Sequence, residues 1–410
     1  MKPFNWKLTS LMLTGIGIST LGDFIYLIAI NLLVYEMTQS AAAVAGLWIV
    51  GPIISVLTNS WSGGIIDRSN KKKIMIYTDI IRTILVGLIP FMTNVWGIYI
   101  LLCLISVAKS FFSPASVTYI ATLVPVEKRK KYNSISGLVT SGAFIVGPAI
   151  AGGLFLIGSI DIAIFLNAFS FLISALIIFL LPDVNLEKAP TSTISKYATL
   201  KADWNEVISF SKKESYVMAV YSCFLAFGLF SLAMDSQEVV FVQKVVGLTE
   251  ADYSFLVSIT GIGFAVGAFI TALLSKHLSL KTLMGMGMFL VSVGYLIYSL
   301  SNSFLTIVIG FVILGLFNAF MNTGFSTFYQ NNIPLHLMGR MTSVISVAQN
   351  GLQIIFLLLI GLLGDLFPLR YIIAVLASVN VLFSAFVIYL VAKPGKQIVF
   401  SEKTNESISS

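Results

Sequence analysis

A chain of 410 residues with 57% hydrophobic and only 10% charged side chains cannot hide its apolar surface in a water-soluble fold, where about a quarter of residues carry charge. Lipid must be the solvent for most of it. The formal net charge of +7 therefore points to no nucleic-acid partner, because in a membrane protein the place of each Lys and Arg matters more than their sum.

In chain order, the predicted elements are twelve apolar runs, at roughly 9–35, 43–66, 74–93, 97–122, 135–157, 161–181, 216–241, 252–275, 282–300, 304–329, 341–363 and 369–392, each near the ~20 residues that a helix needs to cross a bilayer. Barrel strands would be about ten residues long and alternate in polarity. The first run follows Lys2 and Lys7 but lacks a small-residue cleavage site, so it reads as a retained span. The expected fold class is an all-α membrane protein: twelve transmembrane helices in two pseudo-symmetric six-helix halves, 1–181 and 216–392. A central loop, 182–215, joins them, and a tail, 393–410, follows. The later part of the loop, with Trp204, Val207, Ile208 and Phe210, reads either as a linker or as a helix lying on the membrane surface.

Twelve spans put both termini on one side. That side carries 21 of the 25 Lys and Arg residues, including Lys71–Lys73, Lys128–Lys131, Lys212 and Lys213, whereas Lys244 and Arg370 fall opposite and Arg82 and Lys109 lie within spans. The positive-inside bias then places both termini in the cytoplasm. The halves also echo each other: Val124-Pro125 runs on to Asn133-Ser134-Ile135-Ser136, and Ile333-Pro334 to Thr342-Ser343-Val344-Ile345-Ser346. Such duplication implies a ligand site between halves near the midplane.

An ionisable group inside the bilayer costs on the order of 3 kcal/mol or more, so each one calls for an explanation. Span one has Asp23, span three Asp79 and Arg82, span four Lys109, and span seven Asp235 and Glu238; span ten adds Asn318 and Asn322. Spans one, four, seven and ten hold equivalent places in three-helix units. Their polar groups form a candidate proton-coupling or substrate cavity of Asp23, Lys109, Asp235, Glu238, Asn318 and Asn322. Asp235 and Glu238 are i,i+3, and Asn318 and Asn322 are i,i+4, so each pair shares a helix face. Two carboxylates one turn apart cannot both ionise cheaply in a low dielectric. Asp23 and Lys109 read either as pathway groups or as a structural pair within the first half. Asp79 and Arg82, near the cytoplasmic end of span three, read as a brace for the neighbouring loop. His277 and His336 fall in loops, which leaves any proton relay to carboxylates. Cys103 and Cys223 have no disulfide or metal-type spacing, and there is no nucleotide loop, metal cluster or Ser-His pair at membrane depth. A carrier is expected, not an enzyme, with no cofactor and no metal.

Between spans two and three stands Gly63-Gly64-Ile65-Ile66-Asp67-Arg68-Ser69-Asn70-Lys71-Lys72-Lys73. Here the chain resembles the major facilitator superfamily, whose signature in this loop is G-x-x-x-D-R-x-G-R/K-R/K. Asn70 replaces the glycine, and Asn tolerates a left-handed turn. The resemblance implies a conformational gating role for Gly63, Asp67, Arg68 and Lys72, with Asp79 and Arg82. Gly147-Pro148, followed by Gly152-Gly153, is similar to the glycine–proline motif of antiporter members, with three residues instead of two before the glycine pair. Leu21-Gly22-Asp23, Tyr35–Ser40, Asp79-Ile80-Ile81-Arg82, Ser113-Pro114-Ala115 and Gly339-Arg340-Met341 look like the drug:proton antiporter branch that holds macrolide-efflux-like pumps. That likeness implies proton-driven efflux of hydrophobic or amphiphilic compounds across a bacterial cytoplasmic membrane, by a monomer whose partners are a small-molecule substrate, protons and the bilayer. The branch's proton-linked arginine of span four has no counterpart, and Lys109 is its nearest substitute. Export of a siderophore or other metabolite, and nutrient uptake, are the alternatives.

Overall fold

The computed structural model describes residues 6–183, 196–274, 277–393 and 397–400. These residues contain helices α1 (Trp6–Thr38), α2 (Ala41–Arg68), α3 (Lys71–Leu88), α4 (Val95–Leu123), α5 (Val126–Leu156), α6 (Ile160–Leu180), α7 (Lys196–Lys213), α8 (Ser215–Asp235), α9 (Glu238–Val240), α10 (Glu250–Leu273), α11 (Leu280–Leu300), α12 (Phe304–Asn332), α13 (Leu335–Leu366) and α14 (Leu369–Ala392). Among the described residues twelve helices are long and apolar enough to cross a membrane, as the twelve apolar runs predict. The other two are α7, in the central loop, and the single turn α9.

Local chemistry sets the helix ends. Ser40, Asn70, Asn94, Ser159, Ser279 and Ser303 each stand just before a helix and accept a bond from its third backbone N–H, satisfying a donor that would otherwise be orphaned. The repeated Val/Ile-Pro pair is a joint. Val124 and Ile333 close α4 and α12 in extended conformation, as a residue before proline prefers. Pro125 and Pro334, with φ of −56° and −59°, then start α5 and α13 with a preset helical φ. These helices begin at Val126 and Leu335 rather than near 135 and 341. Hydropathy marks where lipid begins, whereas the backbone helix continues into the polar turn.

Span seven departs from expectation. The apolar run 216–241 is not one helix: α8 stops at Asp235, Gln237 N–H bonds back to Met234 O at 3.0 Å, α9 supplies one turn, and a π-helical turn follows at Phe241–Val246. Such irregular helix concentrates at functional sites.

The chain divides into two compact units, 1–191 with 242–258, and 192–241 with 259–410. The segment 242–258 groups with the first unit. In the first unit, glycines let α1 lie tightly against its neighbours. A Cβ on Gly17 would sit 2.7 Å from Val139 of α5, and one on Gly147 2.7 Å from Phe24 Cβ. In the second unit, backbones meet directly. A Cβ on Gly263 would lie 2.9 Å from Val312 O, one on Gly294 3.0 Å from Gly310 O, and one on Gly315 2.9 Å from Phe264 N. Small residues supply close packing of this kind where lipid offers no hydrophobic drive between helices.

Gly315→Ala is expected to lower the melting temperature of the detergent-purified protein by several degrees, since overpacking costs about 1–3 kcal/mol. Gly153, where an added Cβ would have no neighbour within 4 Å, should accept Ala with an unchanged or raised melting temperature, because Ala favours helix by about 1 kcal/mol. Equal losses in both variants would refute the close-approach account.

Candidate functional site

In the first unit the polar groups converge on α1, α3, α4 and α6. Asp79 and Arg82, anticipated as a loop brace, are instead interior: they are 0% and 3% exposed and ion-paired with each other. The Arg82 guanidinium lies between the rings of Phe112 and Phe171, 4.4 and 4.1 Å from their centroids. A guanidinium removed from water needs a carboxylate and aromatic faces of this kind. Asp23 of α1, half-buried, has Lys109 and Arg82 as its electrostatic partners and Asn167 of α6 beside it. Asn167 and Ser174 are fully buried and Ser170 nearly so, and Gly22 leaves room for them, since its Cβ would fall 2.6 Å from Asn167 Oδ1. Within this unit Asp23 thus has two cationic electrostatic neighbours, Lys109 of α4, which is exposed, and Arg82 of α3.

The signature loop is placed in part. Arg68 is exposed, and Lys72 Nζ stands 5.6 Å from the Phe179 ring. The side-chain environments of Gly63 and Asp67 lie outside the described residues. Asn70 corrects the left-handed-turn expectation: its φ is −70°, and its side chain caps α3 at Lys73 N–H while Nδ2 donates to Asp183 Oδ1 at 2.6 Å. Asparagine serves there as a cap and a tie, not for conformational freedom.

In the second unit, Asp235 ends α8 and accepts a 2.5 Å hydrogen bond from Tyr295 Oη of α11. Asn380 of α14 donates from Nδ2 to Ser231 Oγ at 3.4 Å. Glu238, beyond the helix break, remains an electrostatic neighbour of Asp235 and Tyr295. Asn322 donates from Nδ2 to Asn318 O at 3.0 Å and also to Asn318 Oδ1, so that pair shares one face of α12 as its spacing predicts. The glycine–proline motif divides. A Cβ on Gly152 would come 3.1 Å from Ser254 Cβ and 3.3 Å from the Phe255 ring, Gly147 abuts Phe24, and Gly153 meets nothing. Pro148 is buried, and nearby Ser258 Oγ donates to Ile145 O at 2.6 Å.

The first, third and sixth membrane helices of each half thus form a polar seam: α1, α3 and α6, and again α8, α11 and α14. Sequence reasoning missed its uncharged members, Asn167, Ser170 and Ser174 in one half and Ser231, Tyr295 and Asn380 in the other. A signal was available, because Asn167, Ser170 and Ser174 fall at i, i+3 and i+7, on one face. Also unanticipated is a cavity of about 380 Å³ lined by Glu36, Asp161 and Glu250 among others.

The family model described as Major Facilitator Superfamily matches residues 12–242 and 223–409. The MFS-type transporter YfiS of Bacillus subtilis (strain 168) is 28% identical over 65% of this chain and 64% of its own. A protein of the same strain named as a bacilysin exporter, BacE, is 32% identical over 41% of this chain and 42% of its own. Macrolide efflux protein A of Streptococcus pyogenes is 23% identical over 88% and 90%. The chain spans less than two thirds of the length of YfiS and BacE in these matches. A bacterial homologue of the lysosomal transporter Spinster, crystallised inward-facing and unoccupied, shares the fold with a TM-score of 0.74 at 12% identity over 98% of each chain. A bacterial homologue of the iron transporter ferroportin does so with a TM-score of 0.73 at 15% identity over 95% and 100%. A multi-pass membrane protein with twelve spans and this match along its length belongs to the Major Facilitator Superfamily of transporters.

Proposed function

We propose that this transporter exports hydrophobic or amphiphilic small molecules from a bacterial cytoplasm by alternating access, in exchange for protons. It works as a monomer in the cytoplasmic membrane with both termini inside, and it needs neither a cofactor nor a nucleic-acid partner. The orientation rests on the 21 of 25 basic residues gathered on one side. The observation that carries the coupling is the polar seam, in which Lys109 and Arg82 are the electrostatic partners of Asp23 in one unit and Asp235 pairs with Tyr295 in the other. Protonating Asp23 removes its attraction for two cations, so proton uptake can rearrange α1 against α3 and α4. Asp235 and Glu238 supply the second unit's titratable groups. Asn318 and Asn322 offer amide contacts to cargo, and the aromatic side chains of the pathway helices offer apolar surface. Asp79 and Arg82 serve as the interior ion pair that keeps α3 in register, while Gly63, Asp67, Arg68 and Lys72 gate the loop. Gly147, Pro148 and Gly152 hold α5 close to its neighbours.

Macrolide efflux protein A matches nearly the whole chain, which supports a drug-like cargo. The higher local identity to BacE favours, as a second reading, export of a small metabolite.

Expression in a pump-deficient bacterium is expected to raise the minimal inhibitory concentration of at least one amphiphilic compound several-fold. Asp23→Asn, Asp235→Asn and Glu238→Gln should each abolish most of that protection at equal expression. Protection against nothing, with all variants alike, would end the export reading. In inverted vesicles, adding the protective compound should drive protons out of the lumen when a pH gradient has been imposed, and a compound that is transported without proton movement would remove the coupling. Arg82→Met, which strands Asp79, is expected to cost about 3–5 kcal/mol of stability, visible as poor yield and a lower melting temperature. The double variant Asp79→Leu/Arg82→Met should recover most of the loss, and no recovery would show that the pair does more than satisfy itself.

A further inference from the structure

Of the two helices that do not cross the membrane, α7 is held at two points of the second unit. Glu214 alone separates its last residue, Lys213, from the first residue of α8, and Glu214 N–H donates back to Phe210 O at 2.8 Å. Seven residues before Lys213, Glu206 is ion-paired with Arg340, in the second turn of α13. The start of α8 is level with the end of α14, since Tyr216 Oη donates to Leu390 O at 2.6 Å. Both ties therefore lie where membrane helices begin or end. The stretch between them, about 10 Å long at the rise of a helix, runs along the bilayer surface and not away from it.

The apolar arc of this stretch is only half covered. At about 100° per residue, Phe210, Val207, Trp204 and Ile208 follow one another around the helix. Val207 is 4% exposed, and Phe210 lines a cavity of about 570 Å³ together with Val217 of α8 and Leu337 of α13, so this half of the arc faces the bundle. Trp204 and Ile208, at i and i+4, are 41% and 45% exposed. Lys212 continues their stripe four residues on and is exposed. In sequence Lys201 precedes Trp204 by three residues, so lysines bracket the apolar pair in one helical register. The acids Glu206 and Glu214 line the cavity on the bundle side instead.

We propose that the face of α7 carrying Trp204, Ile208 and Lys212 docks on anionic phospholipid headgroups of the bilayer that the protein spans. An indole and a branched aliphatic side chain, turned away from the bundle at the level where the spans end, are solvated by the headgroup and acyl boundary, which tryptophan favours. Lysines on either side of them meet lipid phosphates, and that attraction selects an anionic surface over a zwitterionic one. With Glu206 holding Arg340 on its other flank, α7 ties the start of α13 to the leaflet. The surface goes beyond the export reading, because lipid docking requires neither cargo nor protons.

The test is spin-label accessibility in the full-length chain, with Cys103 and Cys223 replaced by serine and a label at Ile208→Cys or, about 100° around the helix, at Ser209→Cys. In nanodiscs that hold one chain in phosphatidylglycerol and phosphatidylcholine, the label at 208 should collide with oxygen several-fold more than with a water-soluble nickel chelate, and the label at 209 should do the reverse. Pure phosphatidylcholine, or Lys201→Gln/Lys212→Gln, should bring the label at 208 at least threefold closer to the chelate. Phosphatidylglycerol with brominated acyl chains should also quench the unaltered chain more than Trp204→Phe, a readout that needs no cysteine variant. Equal chelate access at 208 and 209 would overturn the surface, as would oxygen preference undiminished in phosphatidylcholine. A label at 208 shielded from both reagents would show another part of the chain on this face and would overturn it too. Drug protection, and with it the export reading, would survive any of these failures.

Discussion

A charge inside a bilayer has no water to turn to, and the architecture of each unit follows from where such charges find partners. Arg82 cannot face lipid, so α3 turns inward the face that carries both Arg82 and Asp79, which pair with each other one turn apart, and sets the guanidinium against Phe112 of α4 and Phe171 of α6, with Asp23 as an electrostatic neighbour. Rings from α4 and α6 thus close on one guanidinium of α3. Asp235 plays the corresponding part in the second unit through Tyr295. The same low dielectric that makes these groups costly makes their pairing strong and makes any change in protonation consequential.

Polar pairing requires close helices, and glycine provides the approach. Gly22 admits Asn167 and Ser170 to the α1 surface, and Gly147 brings α5 onto Phe24, one residue from Asp23. Along α12, Gly310 and Gly315 place backbone against backbone on α11 and α10. Apolar area cannot drive this packing, because lipid solvates a leucine as well as another helix does. Contact area and hydrogen bonds must do so, and both grow as the helices draw together. The polar groups at mid-depth and the small residues beside them are therefore one device, present in both units.

The halves have diverged within this shared plan. Both keep the Val/Ile-Pro joint before the fifth helix and the seam of first, third and sixth helices. The first half answers its acids with Arg82 and Lys109 and keeps α1 continuous through Asp23. The second half breaks the equivalent helix at Ser236–Gln237 and sets its acids on either side of the break. Asp235 and Glu238, spaced i,i+3 as on one helix face, meet across an interruption.

Much of this was legible in the sequence. The count of spans, the basic side and the proline joints follow from hydropathy, charge placement and the restricted φ of proline, all properties of residues in line. Family membership followed from the loop after span two, although Asn70 holds its place as a helix cap instead of a glycine substitute. What the line of residues does not contain is helix rotation and neighbour identity. Asp79 and Arg82 looked like a loop brace because their distance from the loop is local information, whereas the rings that enclose Arg82 come from α4 and α6. Tyr295, Asn167 and Asn380 are ordinary residues until packing turns them toward a carboxylate. The break in span seven lies inside an unbroken apolar run, so only backbone hydrogen bonding reveals it. Sequence records the solvent each segment requires; tertiary packing decides which polar groups replace that solvent for one another.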